Sequence, residues 1–301
     1  MELDQQHYIP KSYIKRFSVE NKIKVYDRNL KKFFITNPNN IAKEKGYNCV
    51  KEKNIKEKCV EEYGKIYPES IKKFQDVVAD ELFLEKMLSR IESDANSIFN
   101  LLIAKNDLIK DETIQQKLLI FFHSMIYRNP SFEKANNDIK NTIRSQLEKL
   151  GIMTEKMPQY ILEDTKVQQQ RELLSIGSLL KFSEQIYPYY NWYIGINNTK
   201  IDLIINDNPC INFFLNANEI CFPINTRNAI ILLKKDGLAF FTNDKPINDN
   251  QIIMSDYAVK FSNATMVANS KRYIMFNPKN DDIEKWIRYS QENNLLIENN
   301  I

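Results

Sequence analysis

The hydrophobic period changes twice along this chain, from the two-residue repeat of strands to the 3.6-residue repeat of helices and back again. Near the N-terminus, Ile23 and Val25 alternate with polar residues, and a second apolar run, Phe33, Phe34 and Ile35, follows the connection "DRNLKK". This predicts a β-hairpin. From about residue 60 to 185 the apolar residues recur at helical spacing, and from residue 188 short strand-like runs return. A two-stranded hairpin alone is marginal in water, so the N-terminal strands must join or pack on the later ones. The expected fold is therefore α+β: one domain over 1–301, in which an N-terminal β-hairpin (within 1–50) packs with a C-terminal mostly antiparallel sheet (within 188–301), with a large helical insertion between them (60–185).

Within this frame, Pro10 can open a short helix, with Tyr13, Ile14 and Phe17 on one face and Lys11 and Lys15 facing away. Asn39 to Ala42 should start a short helix or turn that ends near Gly46. Leu84, Leu88, Ile91, Ala95, Ile98 and Leu102 form an amphipathic seam, and Asp111 can cap the helix that follows. In "KLLIFFHSMIY" the apolar residues run all round, which predicts a central, buried helix. Pro130 stops it and leaves Arg128 in its last turn. Amphipathic stretches over 132–150 and 160–183 complete the helical zone. "NWYIGI", "KIDLIIND", "EICFPI", "AIILLKK" and "LAFFTN" read as strands, "MSDYAVKFSNATMVANS" as a helix and "RYIMF" as a last strand. Asp281 with Glu284 has the spacing of a capping box opening a closing helix with Ile283, Trp286 and Ile287 on one face.

Composition narrows the function classes. Apolar content of 43 % beside 27 % charged residues is that of a globular protein rather than a disordered one. No apolar run reaches the roughly 18–20 residues of a membrane span, and the N-terminus is polar rather than signal-like, so cytoplasmic residence is the expectation. Cys49, Cys59, Cys210 and Cys221 lack zinc-knuckle spacing, and two histidines are too few for a His-rich metal site. No metal ligand set is assigned, and the sequence names no particular cofactor. Residues 1–60 hold fourteen Lys/Arg against seven Asp/Glu; against a chain total of +3, that leaves −4 for the rest. Such a basic segment can face a phosphate-containing ligand or nucleic acid, or can simply be a solvated lysine-rich surface. Phosphate-loop, dinucleotide, nucleophile-elbow and HExxH patterns are absent from the sequence. "HYIP" has the look of an HNH nuclease start, but His123 is too distant in sequence to complete a local metal site.

Five stretches then bear on family. Gln6-His7-Tyr8-Ile9-Pro10 with Tyr13 and Arg16-Phe17 is followed by Tyr26-Asp27-Arg28, by Glu85 and Glu92 at heptad spacing, by Arg128 and Pro130, and by Asn206-Asp207-Asn208-Pro209. Phe222-Pro223-Ile224 and Asn263 come later. In this order they resemble the domain-of-unknown-function 4238 family, whose members are mostly bacterial. This chain departs from the family pattern at "MIYRNP" and in carrying Asn206 where serine is usual. The resemblance spans almost the whole chain and implies a shared fold, but it brings no established activity with it.

His7 is the leading candidate for a functional residue, because an imidazole titrates near neutrality and suits acid–base work. Asp207 closes an apolar strand in a turn set by Pro209, where a carboxylate projects from a rigid scaffold or serves ordinary turn chemistry. Glu92, with Asn96 one turn on, fits a site better than Glu85. Arg128 needs an anion if buried, whether carboxylate or phosphate. Arg16 and Arg28 can clamp phosphate oxygens or hold the hairpin to an acidic patch. His123, inside an apolar helix, reads as a core histidine. The expected catalytic set is thus His7, Asp207 and Glu92, and the substrate-binding set is Arg16, Arg28 and Arg128, with Asn208 and Asn263 added through the resemblance. The leading expectation is a hydrolase of a phosphate-containing substrate, nuclease-like, with anti-phage defence as a conjectured setting. The alternatives are a non-catalytic binding or sensor module whose polar residues form a structural network, and a partner-dependent subunit.

Overall fold

A computed structural model of the chain describes residues 5–50, 53–66, 68–210, 217–235 and 250–292. The N-terminal hairpin is β2 (Ile23–Asp27) and β3 (Lys32–Thr36), turned through Lys31 at φ +50°. It does join the C-terminal strands. β10 (Tyr273–Phe276) pairs antiparallel with β2 on one side and with β6 (Ile205–Asn206) on the other, giving a four-stranded sheet in the order β3-β2-β10-β6. The reason lies in the pleat. Ile23, Val25 and Met275 face the main core, while Tyr26, Ile274 and Phe276 face a second cluster with Ile283 and Ile287 of the closing helix. Strands buried on both faces have no solvated side on which to stand alone.

A second sheet, in the order β7-β8-β5-β9, is made of β5 (Tyr190–Ile196), β7 (Glu219–Pro223), β8 (Asn228–Lys234) and β9 (Gln251–Ile253). Its pairs are antiparallel except β5 with β9. The expected strand "LAFFTN" lies outside the described residues, and of "KIDLIIND" only Ile205–Asn206 pairs as a strand.

Between the N-terminal hairpin and these later strands run α2 (Lys53–Ile66), α3 (Ile71–Ala79), α4 (Phe83–Ala104), α5 (Glu112–Tyr127), α6 (Pro130–Lys149), α7 (Gln159–Leu162), α8 (Thr165–Leu174) and α9 (Ile176–Ile186). α4 buries the predicted seam at Leu84, Leu88, Ala95, Ile98 and Leu102. Asp111 accepts from the Ile114 amide at 3.0 Å, capping α5 as its position predicts. α5 is the central helix, with Phe121 and Phe122 both buried. Phe122 packs on Phe222 of β7 and on Trp192 of β5, at ring separations of 4.8 and 6.3 Å. α1 (Lys11–Lys15), for which Pro10 supplies the N-cap, docks Tyr13 against Phe222, and the Tyr13 hydroxyl donates to the Pro223 carbonyl at 2.7 Å.

Two local expectations are corrected. Residues 38–40 form a 3-10 turn, and beyond Ala42 at φ +55° the chain continues into β4 (Lys43–Lys45) rather than a helix; β4 pairs antiparallel with β1 (Gln5–His7), placing His7 opposite Lys43. Asp281 does not cap the last helix, α11 (Asp281–Glu292): Asn280 Oδ1 accepts from the Ile283 amide at 3.2 Å, and Asp281 and Glu284 instead pair with Lys24 of β2. Both changes come from tertiary partners that a local window does not contain.

Candidate functional site

The β1–β4 ladder, the first half of α4, the α5–α6 junction and the turn after β6 meet at one polar cluster in an apolar interior. Its centre is the junction "YRNP". Arg128 caps the C-terminus of α5, where a positive charge suits the helix dipole. Asn129 caps α6, with its Oδ1 accepting from the Ser131 amide, and Pro130 takes the first helical position. Arg128 is only 1 % exposed. Its Nη1 donates to Glu92 Oε1 at 2.5 Å and its Nη2 to Met125 Sδ at 3.1 Å, while its Nε is buried with no partner. Asn129 Nδ2 donates to the Asp207 carbonyl at 2.5 Å, which ties the junction to the turn after β6. In that turn Asn208 Nδ2 is also buried and unpartnered.

His7 lies across from this pair. The Pro38 backbone carbonyl lies beside the ring and favours its protonated form; Nε2 is buried and has no hydrogen-bond partner among the described residues. In the tautomer with its proton on Nδ1, the Nε2 lone pair is the free base. Burial holds the imidazole below its ordinary pKa, the Pro38 bond opposes this, Lys43 and Lys11 reinforce it, and the Glu92 carboxylate pulls the other way through space. Glu92 therefore acts on both His7 and Arg128. Glu85, two turns earlier on the same side of α4, accepts from Asn48 Nδ2 at 2.6 Å, and burial together with Glu92 pushes its carboxyl above the usual range. Asn48 is itself held by its amide, which donates to Gln6 Oε1 at 2.5 Å.

A second wall comes from α8. Gln169 Nε2 donates to the Asn129 carbonyl at 2.9 Å, and Lys166 donates to Gln169 Oε1 at 3.0 Å. The Lys166 ammonium sits 3.3 Å from the centroid of the Tyr47 ring, and burial brings its pKa down to about 8. Tyr47 in turn packs on Tyr8, with ring centroids 5.8 Å apart.

The remaining candidates are engaged elsewhere. Both Asp207 oxygens accept backbone N–H groups, Oδ1 from Lys271 at 2.9 Å and Oδ2 from Arg272 and Tyr273 at 2.8 and 3.1 Å, so this carboxylate pins the entry to β10. Arg16 donates to the Ile224 carbonyl and to Asn96 and Asn100, joining α1 to α4 and the end of β7. Arg28 donates to the Val267 and Ser270 carbonyls at the C-terminus of α10 (Asp256–Ala268). Asn263 of that helix donates to the Asp202 carbonyl and accepts from the Ile204 amide. His123 is buried, bonded to Ser178 Oγ at 3.2 Å and pushed down to about pKa 4 by burial. Thus His7, Glu92 and Arg128 come together, with His7 Nε2 and Arg128 Nε lacking a partner among the described residues, as does Asn208 Nδ2 in the turn after β6, while Arg16, Arg28, Asp207 and Asn263 bind backbone. Asn48, Asn129, Gln169 and Lys166 escape sequence reasoning. Only their burial distinguishes them from the many other Asn, Gln and Lys residues of the chain.

Among the described residues no group of three or more His, Cys, Asp and Glu side chains could hold a metal ion, and no helix is long and apolar enough to cross a membrane. Residues 5–280 match the model of a family described as "Protein of unknown function (DUF4238)". No curated protein and no solved structure matches the chain.

Proposed function

Starting from the premise that the chain belongs to the DUF4238 family, we propose that it is a cytoplasmic hydrolase of a phosphate-containing substrate, nuclease-like, with the His7–Glu92–Arg128 cluster as its active site. The observation that carries the reading is that His7 Nε2 and Arg128 Nε, the side chains on which the Glu92 carboxylate acts, are both buried and without a hydrogen-bond partner among the described residues. Buried polar atoms nearly always find partners, so two without one beside a shared carboxylate leave room for oxygen atoms of a ligand. Arg128 Nε is a donor suited to phosphoryl oxygens. His7 Nε2 is a base that stays neutral at physiological pH and can take a proton from water. Glu92 holds Arg128 in place and stabilises the imidazolium formed during the reaction. Asp207 has no part in this proton path, because three amides hold its oxygens. The basic N-terminal segment, with Lys11 and Lys43 beside His7, would draw in the polyanion. A role as a defence effector is compatible with a nuclease of this kind.

The test is turnover of a panel of phosphomonoesters, phosphodiesters and single-stranded oligonucleotides by the wild-type chain and by His7→Gln. The expected result is hydrolysis by the wild type and a loss of ~100-fold or more in the variant, the scale of general-base catalysis, with unchanged circular dichroism. Absence of turnover across the panel, or equal turnover by both proteins, overturns the reading.

A second reading is favoured by the saturated bonds of Arg16, Arg28, Asp207 and Asn263. Here the polar residues only lock the N-terminal hairpin to the C-terminal strands of a non-catalytic module. It predicts that His7→Gln lowers the melting temperature by several degrees and that no member of the panel is hydrolysed.

A further inference from the structure

The proposed hydrolytic site has a base in His7 and needs an acid to protonate the departing oxygen. α4 supplies a second carboxyl on the same side. Seven residues separate Glu85 from Glu92, which places them about 10.5 Å apart along the helix axis, with His7 acting on one of them and Arg128 on both. The two glutamates are held differently. Glu92 meets a full positive charge at 2.5 Å, whereas Glu85 meets only the neutral amide of Asn48 at 2.6 Å. That amide donates to Oε2, and among the described residues Oε1 takes no hydrogen bond. A proton on Glu85 therefore belongs on Oε1, the oxygen left available to a ligand.

We propose that Glu85 is the general acid of this site, delivering the proton of its Oε1 to the leaving-group oxygen of a phosphodiester. The inference rests on the hydrolytic reading of the His7 cluster. In the reaction a water oxygen forms a bond to phosphorus and gives its proton to His7 Nε2. The phosphorus–oxygen bond to the leaving alcohol breaks, and that oxygen takes the Glu85 proton. The products are a phosphomonoester and an alcohol; Glu85 is left as carboxylate, and solvent returns the proton from His7 to it. Environment separates the roles as the chemistry requires. Burial and the facing Glu92 carboxylate favour the protonated form of Glu85, against the Asn48 bond and Arg128. Burial, Lys43 and Lys11 favour the neutral form of His7, against the Pro38 bond and Glu92. Two titratable groups pushed in opposite directions and joined through Gln6 and Asn48 are the pattern of an acid–base pair. Asn48, fixed by Gln6 next to His7 in β1, is the positioning residue that keeps both ends of the pair in register.

The test compares Glu85→Gln with the wild type on two phosphodiesters: a p-nitrophenyl ester, whose phenolate leaves without a proton, and a dinucleotide, whose alkoxide needs one. Loss of ~100-fold on the dinucleotide with less than ~10-fold on the nitrophenyl ester, and loss of the alkaline limb of the wild-type pH profile, is the expected result. Equal losses on both esters, or none on either, overturn the role of Glu85 and leave the hydrolytic site standing. Failure of the wild type to hydrolyse either ester overturns both.

Discussion

Replacing Glu92 by Gln keeps the shape of the side chain and one carbonyl acceptor but removes the only carboxylate that pairs with Arg128 among the described residues. The guanidinium stays 1 % exposed, with a thioether on Nη2 and nothing on Nε. Leaving one member of a buried ion pair uncompensated costs about 3–5 kcal/mol. Glu92 is 22 % exposed on its side chain and Gln retains a hydrogen bond, so the lower end, about 3 kcal/mol, applies. With a urea m-value of about 3 kcal/mol/M for a chain of this size, the unfolding midpoint falls by about 1 M. Urea titration followed by tryptophan fluorescence measures it. Glu92→Leu combined with Arg128→Met should recover most of the loss, because an apolar pair needs no charge partner. A Glu92→Gln shift below about 0.3 M, or a double variant whose loss is the sum of the single ones, refutes the view that Arg128 is a buried charge held for an anion.

Three further outcomes follow from the same structure. His123 is held near pKa 4 in the fold against 6.5 when free, so its contribution is complete above pH 6.5 and is lost as pH falls toward 4, by about 3 kcal/mol; unfolding curves of His123→Gln should fall less steeply than wild type across that window, and parallel curves contradict the assignment. Asp207→Asn turns an acceptor toward two amides into a donor and should cost about 2–4 kcal/mol, seen as a lower urea midpoint; a midpoint within error of wild type would show that the turn does not depend on that carboxylate. Lys166, with pKa about 8, should be acetylated by acetic anhydride at pH 8 several-fold faster than the exposed Lys53, read by peptide mass spectrometry; equal rates would show that the ring of Tyr47 and the surrounding burial do not favour its neutral form.

What could be read in the sequence was whatever one element carries by itself. The seam of α4, the all-round apolarity of α5 and the Asp111 cap depend on residues within one helix, so local period and local chemistry suffice. The joining of the hairpin to the later strands was legible through an energetic necessity, the marginal stability of two strands alone, and β2 with β10 realises it. The β1–β4 ladder was not legible, because "QQH" and "KEK" carry no apolar alternation and pair only through backbone across 35 intervening residues. The capping box at Asp281 matched in spacing, but Lys24 of β2 claims both carboxylates. At the site, rarity pointed to His7 and the cost of burial pointed Arg128 toward an anion. Nothing local announced that Asn48, Asn129 and Gln169 would orient them, since an amide gains that role only when the fold removes water from it. Asp207 shows the converse: its turn was legible from Asn-Asp-Asn-Pro, but its three amide donors come from residues 271–273, more than sixty positions away.

With only two histidines in the chain, nitrogen-detected NMR of the imidazoles can follow His7 directly. A pH titration with and without inorganic phosphate should show His7 protonated on Nδ1, titrating below 6.5, and shifted at Nε2 by phosphate while His123 remains silent. A His7 signal that ignores phosphate at every pH would contradict the assignment of this cluster as a phosphate-handling active site.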